Sequence, residues 1–403
     1  MDHMALTSQW MASLYTAAVS MGLTFILGRF LGPCEFGNYS YILTLASLFF
    51  ILQDGGFKTL IFREKTLPTS GLKEHGDTLF SLAFGHALMC TGVGVLLVLV
   101  LPFPYKAGIL AAFICFFFQT LVNFISSELR AEGNFPRDAF WQTIVRTAGA
   151  GGIIFVLYFL CHDPWMIFIG WASGLLLALW VSPVHIALPD FRSFGYRGIW
   201  RACLAFMAID AATTIYYRCD ILLLKHLSQD VADVGYYAAA YRFIEGFVLL
   251  SAPVGMICFR KLRLVWQDKR IFYFMTVKMI LIMIGAAGFI VMGGILFGEE
   301  IVILTFGKTY TDTILILPLL LCSLIFIFPN SILTQAAIAQ NKEGLYAAAA
   351  GTGALFNIGL NFILIPEFGG IGAAWATVAT EALLTVMLVL IAGRAIAGPD
   401  PGK

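Results

Sequence analysis

Seven side chains carry formal charge inside stretches that are otherwise apolar: Asp54, Asp210, Arg218, Asp220, Arg242, Glu245 and Glu381. Placing a charge at the centre of a membrane-like environment costs at least ~2.5 kcal/mol, so such residues face a cavity or a partner and are functional candidates by default. Carboxylates can take up and release small cations, whereas arginines grip anions through a planar fork of donors. Arg146, near the start of another apolar run, Arg63, in a basic segment, and Lys278 extend the cationic set. A second reading stands beside the functional one. Arg218, Asp220, Arg242 and Glu245 can form a neutral ion-pair cluster that only joins helices, and a lysine at the depth of Lys278 can reach the surface along its own stem.

The elements that must hold these residues follow from composition. Of 403 residues, 60% are hydrophobic and 12% charged, against about 25% charged in an ordinary soluble domain. Apolar runs of about 20 residues, the length a bilayer span requires, begin near residues 8, 37, 78, 106, 139, 164, 202, 234, 271, 313, 345 and 371. The expectation is an all-α membrane protein of twelve spans. The first run lacks preceding Lys or Arg and is long enough to span, so it reads as a span and not as a cleaved leader. Eight scattered cysteines without a C-x-x-C pair and six dispersed histidines give no disulfide framework, zinc site or other metal site; His86 and His185 are expected to pack. No cofactor and no nucleic-acid partner are expected.

Charge asymmetry predicts orientation. Alternate connections hold Lys58, Arg63, Lys65 and Lys73; Arg130 and Arg137; Arg192, Arg197 and Arg201; Arg260, Lys261, Arg263, Lys269 and Arg270; and Lys342. The opposite ones hold Arg29, Lys106, Lys225 and Lys308, which places both termini in the cytoplasm by the positive-inside rule.

Polar residues also fall into stripes. Gln9, Ser13, Thr16, Ser20 and Thr24 share one face of the first span, and Ser40, Thr44, Ser47 and Asp54 line the second. Such a stripe faces either a water-filled cavity or a neighbouring helix. In the seventh span Asp210, Thr213, Thr214 and Tyr217 share a face; in the eighth Tyr237, Tyr241 and Glu245 do. The two tyrosines also suit an interfacial belt. Asn357 and Asn361 share a face near the C-terminus, as do Thr377, Glu381 and Thr385, and Pro318 and Pro329 interrupt the tenth span. Residues 191–201 form a basic linker close to the chain midpoint, dividing it into an N-terminal lobe, 1–190, and a C-terminal lobe, 202–403. Gly37-Asn38-Tyr39 and Gly235-Tyr236-Tyr237 are faint echoes of a repeat.

Two motifs add a family resemblance. Leu27 to Glu64 contains LGRFLGPCEFGNY followed by Asp54-Gly55-Gly56 and a basic segment, and Asn357 to Glu381 reads NIGLNFILIPEFGGIGAAWATVATE. Together they resemble the Wzx-type polysaccharide flippases, which share a superfamily with MATE exporters and the lipid II flippase MurJ. That resemblance implies two six-helix lobes around a central cavity lined by the first, second, seventh and eighth spans. It also implies ion-coupled alternating access for a polyprenyl-pyrophosphate-linked oligosaccharide, used in surface polysaccharide biosynthesis at the cytoplasmic (inner) membrane. On this reading Arg218 and Arg242, then Arg146, Arg63 and Lys278, hold the substrate anion, while Asp54, Asp210, Asp220, Glu245 and Glu381 couple to protons or sodium. The partners implied are the lipid-linked oligosaccharide, membrane lipid, glycosyltransferases and a polysaccharide polymerase. A MATE-like antiporter of small organic cations is the alternative transporter, favoured by the excess of acids. A membrane-embedded polymerase or ligase is the enzyme alternative; it needs a long outer loop with Arg and His, and the loop around Gly298 to Thr313 contributes only Lys308.

Overall fold

The structure, a computed structural model, describes residues 3–66, 76–160, 163–184, 186, 189 and 197–397. Expectations for Lys73, His185 and Arg192, and for linker residues 191–196, fall outside these. The described chain is helical: α1 (His3–Asp54), α2 (Phe57–Thr66), α3 (Gly76–Val100), α4 (Lys106–Ala131), α5 (Phe135–Phe159), α6 (Pro164–Trp180), α7 (Arg197–Leu227), α8 (Asp233–Val265), α9 (Lys269–Thr305), α10 (Thr311–Ala339) and α11 (Glu343–Ala397). Large apolar side chains such as Leu96, Val100, Phe289 and Leu355 lie on the outside, as suits a protein whose solvent is lipid.

Among the described residues, seven helices are long and apolar enough to cross a membrane, or eight if the bent pair 198–212 and 214–227 is one span, against the twelve spans read from the sequence. The difference has local causes. At ~1.5 Å per residue, the 52 residues of α1 and the 55 of α11 each exceed what one bilayer needs. Both are interrupted: Gly32 has φ 69°, ψ 172° and Gly369 φ 53°, ψ −131°, conformations that a β-carbon makes costly. Pro33 follows Gly32 directly, where its fixed φ starts a new helical segment without losing a hydrogen bond. The apolar α6 has only 17 residues, and α8 carries Asp233, Arg242 and Glu245 along its length.

Two elements differ from expectation. The basic segment after Asp54 is itself a helix, α2, which buries Phe57, Leu60, Ile61 and Glu64. Arg260, Lys261 and Arg263 belong to the last turns of α8 rather than to a loop.

The chain forms two compact units. The first comprises residues 1–31 and 38–218. In it α5 and α6 approach through glycines: a β-carbon on Gly152 would lie 2.0 Å from the Gly170 carbonyl oxygen, and one on Gly174 2.1 Å from that of Ala148. Small residues permit this contact where no hydrophobic force drives helices together. Asp138, fully buried at the start of α5, accepts from Arg130 at 2.7 Å, Gln142 at 2.8 Å and Gln9 at 2.9 Å. These bonds join the polar end of α1 to α4 and α5.

The second unit comprises residues 32–37 and 219–403. Its six-residue segment from the α1 interruption is tightly packed. Phe36 is fully buried, with its ring 5.8 Å from Phe306 and 6.3 Å from Tyr310. A β-carbon on Gly235 would sit 1.9 Å from the Pro33 carbonyl oxygen, and one on Gly37 2.9 Å from the Gly235 nitrogen. The two glycines that echo each other in the sequence therefore pack directly together.

Candidate functional site

In the second unit, Asp220 is the centre of a polar cage. It lies on α7 with 5% of its surface exposed. Tyr237 donates its hydroxyl to Oδ2 at 2.7 Å and Thr377 does so at 3.2 Å; Asn361 donates its amide to Oδ1 at 2.8 Å, and the Cys219 thiol lies 3.5 Å from the same oxygen. Asn361 also donates to Asn357 Oδ1 at 3.0 Å, and its own buried Oδ1 meets no donor among the described residues. Neutral donors surround this carboxylate. Hydrogen bonds to a charged group contribute about 1.5–3 kcal/mol each, enough to hold α7, α8 and α11 around one side chain. Tyr237, suited by sequence to the membrane interface, is 1% exposed and belongs to the cage.

Within the four-residue ion cluster considered for this region, Arg242 Nη1 and Glu245 Oε2 pair at 2.6 Å, one turn apart on α8, and Asp220 accepts from the uncharged Tyr237, Asn361, Thr377 and Cys219. Arg218 is half-buried on α7. Glu381, on α11, accepts at 2.9 Å from Asn330, the residue after Pro329 in α10, and Thr385 donates to Asn330 Oδ1 at 2.8 Å. The polar residues beside this proline thus meet the acidic face of α11. Lys278 is exposed on α9 beside exposed Phe274, Leu281 and Ile282, an apolar flank along which its stem can lie.

The first unit has its own cluster, at the break between α1 and α2. Gly55 and Gly56 take φ values of 57° and 81°, and Asp54, 1% exposed, accepts the Gly56 N–H at 3.1 Å. Its other oxygen, Oδ1, is buried with no hydrogen-bond partner among the described residues. Lys58, just past the break on α2, pairs with Asp210 of α7 at 2.7 Å, both side chains about one-third exposed. Arg63 pairs with Glu64 at 2.6 Å and lies 5.3 Å over the Phe206 ring. Arg146 is half-buried on α5. His86 Nε2 lies 2.8 Å from the Leu52 carbonyl oxygen, and its ring packs 5.4 Å from Phe57 and 5.4 Å from Trp200. Among the described residues no three His, Cys, Asp or Glu side chains are grouped to hold a metal.

Two residues of the stripe on the first span are bonded to their own helix. Ser20 donates to the Thr16 carbonyl at 2.6 Å and Thr24 to that of Ser20 at 2.9 Å, whereas Gln9 reaches another helix, meeting Phe135 O at 2.8 Å and Asp138 at 2.9 Å. Sequence reasoning missed Lys58 as a site residue and Tyr237 as an Asp220 ligand. The signals were the four-residue spacing of Asp54 and Lys58 and the shared faces of Asn357 with Asn361 and Thr377 with Glu381.

The family model described as "Polysaccharide biosynthesis protein" matches residues 6–259, more than half of the chain. A curated relative, the "probable low-salt glycan biosynthesis flippase Agl15" of Haloferax volcanii, is 27% identical over 286 residues. The match covers 67% of this chain but 57% of that protein, so the chain spans little more than half of the relative's length. Among solved structures, the lipid II flippase MurJ in an inward closed conformation superposes with a TM-score of 0.75 at 16% identity, covering 95% of this chain and 86% of that one. A multidrug resistance MATE family transporter in an inward-facing conformation gives 0.69 at 13% identity, with 98% of each chain covered. At these identities the likeness is one of fold: the chain has a MurJ- and MATE-like helical membrane architecture.

Proposed function

We propose a function from one premise: the chain belongs to the polysaccharide biosynthesis protein family. Its role on this reading is to move a polyprenyl-pyrophosphate-linked oligosaccharide across the cytoplasmic membrane by ion-coupled alternating access. The observation that carries the reading is the family match over residues 6–259 on a fold like that of a lipid-linked precursor flippase. Agl15, a probable flippase by description, supports the same cargo class.

The topology proposed is twelve spans in two lobes, 1–190 and 202–403, with both termini cytoplasmic. The interruptions at Gly32 and Gly369 support dividing α1 and α11 into two spans each, and the Lys and Arg asymmetry supports the orientation. Arg218 and Arg242 are the proposed diphosphate ligands, with Arg146, Arg63 and Lys278 secondary. Asp220 is the leading coupling residue of the second unit: its oxygen-rich surroundings suit a proton or a sodium ion, and Asp54, Asp210, Glu245 and Glu381 are further candidates. Glycosyltransferases and a polymerase would act before and after this step.

Surface glycan display in cells tests the assignment. Arg218→Ala and Arg242→Ala should each abolish display at unchanged protein abundance, and Lys at either position should restore part of it because charge is kept and the fork is lost. Arg242 is paired with Glu245, so the neutral pair Arg242→Gln with Glu245→Gln separates the roles. Full export by that pair would remove Arg242 from anion binding and leave it a structural ion pair.

A further inference from the structure

Two carboxylates and one ammonium meet at the break between α1 and α2, and the charges do not balance. Lys58 is engaged by Asp210 at 2.7 Å. Asp54, four residues before Lys58 and within electrostatic reach of both, is almost fully buried, and its Oδ1 has no donor among the described residues. An ionised carboxylate oxygen in that position would lack solvent and would have to share the Lys58 ammonium with Asp210, a costly arrangement. A proton on Oδ1 removes the imbalance with no change in the Gly56 contact at Oδ2.

We infer that Asp54 is a proton-binding carboxyl whose occupancy decides the partner of Lys58. With the proton on Asp54, Lys58 stays with Asp210 and ties α2 to α7. When the proton leaves to water, the Lys58 ammonium is drawn back across the Gly55-Gly56 break to Asp54, and Asp210, one-third exposed, is left to solvent. The proton is the only species exchanged, and Lys58 stays charged throughout. The other ionisable groups around the site are accounted for: Arg63 is paired with Glu64 on α2, His86 of α3 contacts the Leu52 carbonyl, and Cys203 of α7 lies within electrostatic reach of Asp54 and Arg63. The inference rests on the transporter reading above and identifies a proton-responsive joint in its first unit, separate from the Asp220 cage.

Two spectroscopic titrations of the purified full chain test it without a transport assay. In pH-difference infrared spectra, a protonated-carboxyl stretch should titrate in the parent protein and vanish in Asp54→Asn, a variant that keeps an acceptor for Gly56. Its midpoint should fall by at least about one pH unit, tenfold in proton affinity, in Asp210→Asn, which frees Lys58. It should rise as much in Lys58→Gln. Trp200 reports the joint, since its ring packs 5.7 Å from Phe57, the first residue of α2. Its fluorine NMR signal in fluorotryptophan-labelled protein, assigned with Trp200→Phe, should move with the same midpoint and stay fixed in Asp54→Asn. If Lys58→Gln alone fails to fold, the charge-balanced Lys58→Gln, Asp210→Asn pair should give the raised midpoint in its place. A band that survives Asp54→Asn, a midpoint indifferent to Lys58 and Asp210, or a Trp200 signal that does not follow the band overturns the inference. Loss of glycan export with both titrations intact would instead count against the flippase reading.

Discussion

Asp220 shows how much a single side chain can organise when its partners arrive from two other helices. Tyr237, Asn361 and Thr377 all donate to it, so replacing a donor and replacing the acceptor have different consequences. Tyr237→Phe removes one charge-assisted hydrogen bond and should cost about 1.5–3 kcal/mol, read as a lower unfolding temperature of the purified protein in detergent. Asp220→Asn keeps the shape but turns an acceptor edge into a donor facing Asn361 or Tyr237. It should abolish glycan export, measured by surface display, while the protein still reaches the membrane at near-normal abundance. Normal export by Asp220→Asn would reduce the cage to a structural junction. That Asp220 needs partners was legible from its charge in an apolar run; their identity was not, because Asn361 and Thr377 lie 141 and 157 residues away.

At the scale of the element, glycines decide which helices can touch. Gly170 and Gly152 on α6 and α5 are so close that a β-carbon on Gly170 would lie 2.5 Å from the Gly152 carbonyl oxygen. Gly170→Ala should therefore destabilise the first unit by about 1–3 kcal/mol through overpacking. The neighbouring Gly151 has open space around it, and Gly151→Ala should be neutral or stabilising by up to ~1 kcal/mol through helix propensity. Thermal unfolding of both variants in one detergent provides the comparison; equal effects would mean that the α5–α6 contact does not limit stability. The sequence lists all 39 glycines alike. Which of them face a backbone is settled by the packing of separate helices.

Across the whole molecule, orientation and water access are the properties most open to test. A reporter fused at Gln267 should read as cytoplasmic and one at His162 as periplasmic, from the distribution of Lys and Arg; a periplasmic signal at Gln267 would overturn the orientation. In a background without the native cysteines, Ser20→Cys and Thr214→Cys should react with water-soluble thiol reagents, whereas Leu97→Cys, on an apolar face exposed to lipid, should not. Equal inertness at all three positions would leave the polar stripes as internal hydroxyl bonding, the role already visible for Ser20 and Thr24. The sequence by itself determined the class of molecule, since 60% hydrophobic residues in repeated long runs leave few structures other than a helical bundle in lipid. It also located most helix starts, because apolar periodicity, proline and glycine act within one turn. It left three results to the tertiary structure: α2 as a helix in a basic segment, the packing of Phe36 against Phe306 and Tyr310, and the partners of the acids, neutral donors at Asp220 and Lys58 at Asp210. A charged residue in an apolar run must find a partner, but the chain records only that need; which partner meets it depends on helices brought together from distant parts of the sequence.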